Sequence, residues 1–208
     1  MSRKEYPLEA LSKYIPEGSY EFVSEYIHHY KIHLTITRAR KSVLGDYRNA
    51  GPRQNHRISV NGNLNRYAFL LTLLHELAHL LTYEKHAHRV AAHGREWKSE
   101  FGLLLKSFLA QGIFPDDIRA AINNSLHSPA ASSCSDVSLT RVLRRYDEGK
   151  ENILLVEEVP AGSCFTIPGG RVFRKGPVVR KRFQCTEIPG NRIYLFSPVY
   201  EVKLVEPA

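Results

Sequence analysis

The chain contains few cysteines and no long apolar segment. Its three cysteines are too few and too scattered for a disulfide framework, so we expect reduced thiols in a cytoplasmic protein. No run approaches the roughly 20 apolar residues of a membrane span, and the start, MSRKEYPLEALSKY, has no apolar signal region. These absences argue against secretion and membrane insertion. The cysteines are Cys134, Cys164 and Cys185.

Acidic residues are scarce relative to basic ones. Asp and Glu total 21 against 29 Lys and Arg, which gives a formal net charge of +8. A basic surface favours polyanions, nucleic acid above all, although many basic proteins bind none. Charge alone therefore leaves two equal interpretations, a nucleic-acid surface and a solvated basic surface.

The spacing of apolar residues predicts an α+β protein. Apolar residues at steps of three and four indicate helices, and one run that is apolar nearly all round indicates a buried helix. Alternating runs indicate strands. The predicted helices span 18–30, 67–82, 94–109 and 116–126, and the predicted strands span 32–37 and 55–60.

The composition changes near residue 128. The segment SPAASSCSDVS (128–138) is small and polar and contains proline, as linkers do. Beyond it, short apolar runs separated by Gly and Pro predict a small antiparallel β module. We therefore predict a first domain over 1–126, a linker over 127–138 and a β module over 139–208.

Two histidines and a glutamate interrupt the buried helix, in the sequence LHELAHL (74–80). On a helix, His75 and His79 leave the same face one turn apart, so both can bind one zinc ion. Glu76 can then act as base towards a zinc-activated water that attacks a peptide carbonyl. The alternative is a chance match to HExxH, but the surrounding leucines would bury an unpaired polar trio at high cost. The pattern therefore indicates a zinc peptidase site.

Such a site needs a third protein ligand. The metzincin spacing fails, because Thr82 and Lys85 stand where that pattern has glycine and histidine. We favour His93, since Gly94 follows it and a chain reversal before the next helix could bring it over the metal. The other candidates stay open. They are His86, His88, Glu96 and Glu100.

The HELAH segment, followed by HGREW (93–97), resembles the SprT-like metalloproteases, the Spartan-type family. The resemblance extends upstream to Thr37–Lys41, Leu44–Arg48 and Ile58–Asn61, and covers about residues 18–110. HExxH alone is moderately specific, whereas HExxH followed by HG-x-x-W at this interval is a strong signature.

The resemblance implies a fold and an activity. The fold is a zincin-like metalloprotease domain, built of helices and a small antiparallel sheet. One catalytic Zn²⁺ is bound by His75, His79 and His93, with Glu76 as the catalytic base. The substrates are proteins bound or crosslinked to DNA. We therefore expect a cytoplasmic or nucleoid-associated enzyme, with a monomer as the default.

Many SprT-like proteins end in a zinc ribbon built on two CxxC pairs, and this chain departs from that pattern. Each expected knuckle keeps one cysteine, Cys164 in GSCF and Cys185 in FQCT. Two thiols cannot form a Cys₄ site. We therefore predict a β module that resembles a zinc ribbon but has lost its metal ligands.

The segment RVFRKGPVVRKR (171–182) has six basic residues and no acidic one. A hairpin here could pack on one face and present guanidinium groups to phosphates on the other. The alternative is a solvated edge that discourages strand aggregation, and the resemblance favours nucleic acid. The candidate DNA contacts are Arg171, Arg174, Lys175, Arg180, Lys181 and Arg182. Four further basic residues could join that surface, line the substrate cleft or face water: Arg38, Arg40, Lys41 and Arg48.

Together these patterns predict a zinc-dependent endopeptidase that acts on protein substrates. We expect the strand near residues 55–61 to pair with an extended substrate. The first alternative is a nucleic-acid-binding or adaptor protein with a structural zinc site, against which Glu76 argues, because a structural site gains nothing from a base. The second is a housekeeping zinc peptidase unrelated to DNA.

Overall fold

The computed structural model describes residues 7–40, 43–127 and 136–205. The chain divides into two units, Met1–Tyr146 and Asp147–Ala208. The first combines helices with a small sheet and the second is built of strands, so the predicted α+β class is confirmed. Within the described ranges, no helix has both the length and the apolar character that a membrane span requires.

The elements of the first unit follow the predicted order. The helices are a 3-10 helix (Leu8–Lys13), α1 (Tyr20–His29), α2 (Arg66–His86), α3 (Arg95–Ala110), α4 (Asp116–His127) and α5 (Val137–Arg144). The strands are β1 (His33–Thr37), β2 (Gly45–Arg48) and β3 (Arg57–Asn61). The structure adds α5 and β2 to the predicted set, and α2 continues past its predicted end.

Helix α2 forms the centre of the first unit's core. It begins where the Asn65 side chain accepts a hydrogen bond from the Ala68 amide (2.9 Å), a common N-terminal cap. Every residue from 69 to 78 is buried, and α3 packs against α2 with Trp97 fully buried. Because the helix is enclosed, a polar side chain on it needs a partner within the protein or a bound ion.

The sheet of the first unit is mixed. Its strand order is β1-β3-β2, with β1 parallel to β3 and β2 antiparallel to β3. The prediction of an antiparallel sheet is therefore wrong for the β1–β3 pair. Parallel neighbours need a crossover connection, and here residues 38–56 supply it while placing β2 on the far side of β3.

The boundary between the units lies later than the predicted linker. Residues 128–135 of that linker lie outside the described residues, and α5 begins directly after Asp136, whose side chain caps it by accepting from the Ser138 amide (2.8 Å). Leu139 is buried in the first unit's core, and the Tyr146 hydroxyl donates to Asp117 (2.7 Å). Residues 139–146, assigned above to the β module, therefore belong to the first unit.

The second unit is a six-stranded antiparallel sheet, which confirms the predicted β module. Its order is β4-β9-β5-β6-β7-β8. The strands are β4 (Leu154–Leu155), β5 (Cys164–Thr166), β6 (Val172–Val179), β7 (Arg182–Ile188), β8 (Ile193–Phe196) and β9 (Glu201–Leu204). Phe165, Phe173 and Phe196 pack in its core, with ring centroids 4.9–5.8 Å apart. Contacts of this kind stabilise the sheet through aromatic burial.

The two cysteines of this sheet lie on opposite faces. Cys164 stands opposite Arg174, and Cys185 stands opposite Lys175. Because consecutive residues on a strand point to opposite faces, the two thiols do as well. They therefore cannot bind one ion together. The likeness to a zinc ribbon stays a prediction.

Candidate metal centre

Three histidine side chains converge in the first unit. The Nε2 atoms of His75, His79 and His93 form a triangle with sides of 3.2, 3.1 and 3.1 Å. A neutral imidazole ring carries one N–H donor and one acceptor lone pair. Three Nε2 atoms that face one another therefore cannot all be satisfied by hydrogen bonds among themselves. Nitrogens bound to zinc at 2.0–2.1 Å in a tetrahedron lie about 3.3–3.4 Å apart. The donor set thus fits a zinc ion.

Two turns bring His93 to the other ligands. Ala87 follows α2 with a φ of 51°, and its amide donates to the Tyr83 carbonyl (2.7 Å). The Gly94 amide then donates to the Ala91 carbonyl (3.0 Å) just before α3 begins. The chain reverses between α2 and α3, as the sequence predicted, and this reversal places His93 over the face that carries His75 and His79.

The structure does not bring the other candidate ligands into this cluster. Glu100 is buried and forms an ion pair with Lys85 (2.7 Å). The His88 ring contacts the Tyr83 ring, with centroids 5.2 Å apart. Among the described residues, the cluster of metal-binding type contains His75, His79 and His93 alone, and excludes His86 and Glu96 as well.

Trp97 forms the buried wall of the cluster. Its ring centroid lies 4.7 Å from those of His75 and His93 and 5.3 Å from that of His79, and it stacks on Phe101 at 5.1 Å. Trp97 of α3 therefore packs against the face of α2 that carries His75 and His79. The indole contacts all three imidazoles, so it excludes water from that side.

Burial keeps the three imidazoles neutral. It lowers the pKa of His75 to about 3 and that of His79 to about 4, and it lowers the pKa of His93 as well. Neighbouring histidines add to the effect for His75 and His79. Neutral imidazole is the form that binds a metal ion, so the cluster offers three lone pairs at neutral pH.

Glu76 is buried beside His75. Burial, with a smaller contribution from Asp46, raises the pKa of its carboxyl group to about 8 against the opposing effect of Arg40. A divalent cation bound by the adjacent imidazoles would lower that pKa by electrostatic attraction. The carboxyl is therefore placed to exchange a proton near neutrality.

Gly45 lets strand β2 approach Glu76 closely. A Cβ atom at this position would lie 2.8 Å from Cγ of Glu76 and 2.8 Å from Cγ2 of Thr72, and closer still to Oε1 of Glu76. Real side chains do not tolerate such contacts. The absence of a side chain at Gly45 therefore makes room for the Glu76 carboxyl group.

A cleft of about 790 Å³ opens beside the cluster. One side is lined by β2 and the residues before it, the other by residues 87–93, and Glu76 lines the cleft between them. The strand at this cleft is β2, which pairs only with β3 in the described part of the sheet. The prediction that residues 55–61 pair with a substrate is wrong, because β3 is the central strand and both its edges are occupied.

The basic residues near the cleft have separate roles. The Arg40 guanidinium donates to the Asn61 side chain (2.8 Å) and the Ser59 hydroxyl (3.0 Å), and so fastens the segment before β2 to β3. Arg48 forms an ion pair with Asp46 (2.9 Å). Arg38 is exposed, and Lys41 lies outside the described residues.

The basic segment 171–182 forms β6 and the turn into β7. Lys175 is buried, and its ammonium group donates to the carbonyls of Glu157 (2.9 Å) and Val159. The prediction that Lys175 contacts DNA is therefore wrong, because it faces the core. Arg171 is paired with Glu187 (2.7 Å). Arg171 is exposed, as are Arg174, Arg180, Lys181 and Arg182.

Comparison with protein-family models, with curated proteins and with solved structures found no match for this chain. The function is therefore argued from the site. Two of its features were not predicted from the sequence, the contact of Gly45 with Glu76 and the approach of Tyr47 to His79. The available sequence signal was the spacing of Gly45 and Tyr47, which are two residues apart and so lie on one face of a strand.

Proposed function

We propose that the first unit is a zinc-dependent endopeptidase of the SprT-like type, with a zincin-like fold. The observation that carries the proposal is the convergence of three neutral imidazoles beside a buried carboxyl group, at an open cleft. A structural zinc site would need a fourth ligand. Among the described residues the cluster offers three, which leaves room for water and a substrate.

Each residue of the centre has a defined task. His75, His79 and His93 hold the zinc ion through their Nε2 atoms. When bound, zinc acts as a Lewis acid and lowers the pKa of a coordinated water towards ~7. Glu76 accepts a proton from the attacking water and later returns it to the amine that leaves the cleaved peptide.

The substrate is an extended polypeptide that pairs with the open edge of β2. The backbone groups of Gly45 and Tyr47, which line the cleft, point to the open edge of β2 and can hydrogen-bond to an added strand, because the ladder turns those of Asp46 to β3. Val43 and Leu44 stand at the same wall, each 44% exposed, and can contact apolar substrate side chains. Pairing through backbone atoms gives little sequence selectivity, which suits an enzyme whose substrates are selected by location.

We further propose that the substrates are proteins bound or crosslinked to DNA. The resemblance to SprT-like proteases suggests this substrate class, and the exposed Arg180, Lys181 and Arg182 at the β6–β7 turn support contact with phosphates. Without DNA binding, the same centre would serve a housekeeping peptidase. With a fourth protein ligand on the metal, the site would be structural and would suit an adaptor protein.

The test is cleavage of a basic DNA-binding protein by the purified chain, with and without single-stranded and double-stranded DNA. Glu76→Gln is the control, because it removes the base and leaves the three ligands. DNA-dependent cleavage that is lost in the variant supports the proposal as a whole. Cleavage that is indifferent to DNA contradicts the DNA part and leaves the peptidase. Zinc binding without cleavage in any condition points to the adaptor.

A further inference from the structure

Tyr47 is linked to two side chains that the proposed reaction does not use. Its hydroxyl lies 3.0 Å from Nδ1 of His56, and Nε2 of His56 lies 3.2 Å from Oε1 of Glu84. The His56 side chain is only 9% exposed. This Tyr47–His56–Glu84 chain joins β2, the residue before β3, and the last turns of α2.

The donors around His56 determine its protonation. The Ala50 amide donates to Nδ1 (3.2 Å), so Nδ1 carries a lone pair and the ring proton is on Nε2, facing the Glu84 carboxylate. Because Nδ1 then carries no proton, the Tyr47 hydroxyl is also a donor, and it shares the single lone pair of Nδ1 with the Ala50 amide. Glu84 orients the His56 ring, and His56 in turn orients Tyr47.

The other end of the chain reaches the metal centre. The Tyr47 ring lies parallel to the His79 ring, with 5° between the planes and 6.4 Å between the centroids, within the range of offset aromatic pairs. A ligand histidine is commonly oriented by a carboxylate or carbonyl on its second ring nitrogen. Besides His75 and His93, the His79 ring contacts the Tyr47 ring and the Trp97 ring, the latter at 5.3 Å.

We propose that Tyr47 is a positioning residue for the metal ligand His79, and that His56 and Glu84 act through it. The inference rests on the metal centre of the proposed function. A separate hydrogen bond ties the segment directly after β2 to α2, because the Asn49 side chain donates to the Tyr83 hydroxyl (3.2 Å). Loss of the Tyr47 hydroxyl therefore frees the ring without detaching β2 from α2.

The experiment compares the full chain with Tyr47→Phe, Glu84→Gln and the double variant. Zinc affinity is measured by competition with a chelator, and cobalt(II) is added in place of zinc to record the visible spectrum, which reports ligand geometry. Each single variant should bind zinc about 10-fold more weakly, as partners of metal ligands commonly do when replaced. Each should also shift the cobalt spectrum. The double variant should be no weaker than the weaker single variant, because both changes break one chain.

The exposed Glu17→Gln is the matched control, and it should change neither quantity. Unchanged affinity and spectrum in both single variants would overturn the inference, as would effects that multiply in the double variant. A loss of affinity with an unaltered spectrum and a lower unfolding temperature would assign a purely structural role, and so would overturn it too. Failure of the unaltered chain to bind zinc or cobalt would instead contradict the proposed function.

Discussion

The two units place their ionisable residues in different ways. All ten histidines of the chain precede residue 147, so the second unit has none. In the first unit, buried His75 and Glu76 line an open cleft, whereas the buried Lys175 of the second unit donates to backbone carbonyls inside the sheet. A buried ionisable group therefore indicates a reactive site only when it faces a cavity together with other such groups.

The basic segment of the second unit illustrates the same difference. Its six basic residues lie close together in the sequence, yet Lys175 is buried and Arg171 forms an ion pair with Glu187. The remaining four are exposed, with Arg180, Lys181 and Arg182 at the β6–β7 turn and Arg174 within β6. The number of basic residues in a sequence segment is thus an upper limit on the number of free charges that the folded surface presents.

The largest expected effect is on the proposed base. Glu76→Gln should retain zinc and lower the cleavage rate by about 10³-fold, because the amide cannot accept the proton. Metal analysis and initial rates on one protein preparation measure both quantities. Parallel loss of zinc and cleavage would mean that Glu76 is part of the metal site and would refute its role as base.

A smaller effect is expected at Gly45. Gly45→Ala should lower cleavage by about 10²-fold and stability by about 1–3 kcal/mol, since the new methyl group collides with Glu76 and Thr72. Zinc affinity should stay near that of the unaltered chain. Gly51→Ala is the matched control, because a Cβ atom there meets nothing within 4 Å. Equal activities of the two variants would show that β2 has room to move.

The DNA proposal predicts a modest change at the β6–β7 turn. Replacing Lys181 by Ala should weaken DNA binding several-fold and reduce the dependence of the binding constant on salt by about one counterion, if the side chain contacts a phosphate. Lys175→Met should instead act on stability, because its ammonium group faces the core. Unchanged DNA binding and salt dependence in Lys181→Ala would remove this turn from the interface.

Acidification should affect the stability of the first unit and that of the second unit differently. In the metal-free protein, burial lowers the pKa of His75 to about 3 and that of His79 to about 4, below the ordinary 6.5 of the unfolded chain. At these two groups the unfolded state then binds more protons, so their burial destabilises the first unit as the pH falls below about 6.5, whereas the raised pKa of Glu76 acts in the opposite direction. The loss at pH 5 is at most ~2 kcal/mol for His75 and less for the more exposed His79.

Fluorescence of Trp97, the single tryptophan, reports unfolding of the first unit alone. Its denaturation midpoint is measured in chelator-treated Glu76→Gln, because the raised pKa of the Glu76 carboxyl would oppose the effect over this range, and it should fall between pH 7 and pH 5. The second unit lacks histidine and should keep its midpoint over this range. A Trp97 midpoint that does not change with pH would contradict the burial of these imidazoles.

Several elements could be predicted because the residue pattern that specifies each of them is local in the sequence. Helix α2 and the one-turn spacing of His75 and His79 follow from local periodicity, and His93 from the turn expected before α3. The parallel pairing of β1 with β3 depends on contacts distant in sequence, so no local pattern specified it. Helix α5 was obscured by the polar segment before it. The burial of Lys175 depends on carbonyls that belong to residues 157 and 159.

The measurement that tests the central claim most directly is the zinc content of the purified chain and of two histidine variants. The account predicts one zinc ion per chain in the unaltered protein, the same content in His88→Ala, and a large loss in His93→Ala. His88 lines the same cleft and lies outside the triangle of Nε2 atoms, so it controls for a general effect of removing an imidazole. Equal zinc content in both variants would contradict the three-histidine centre.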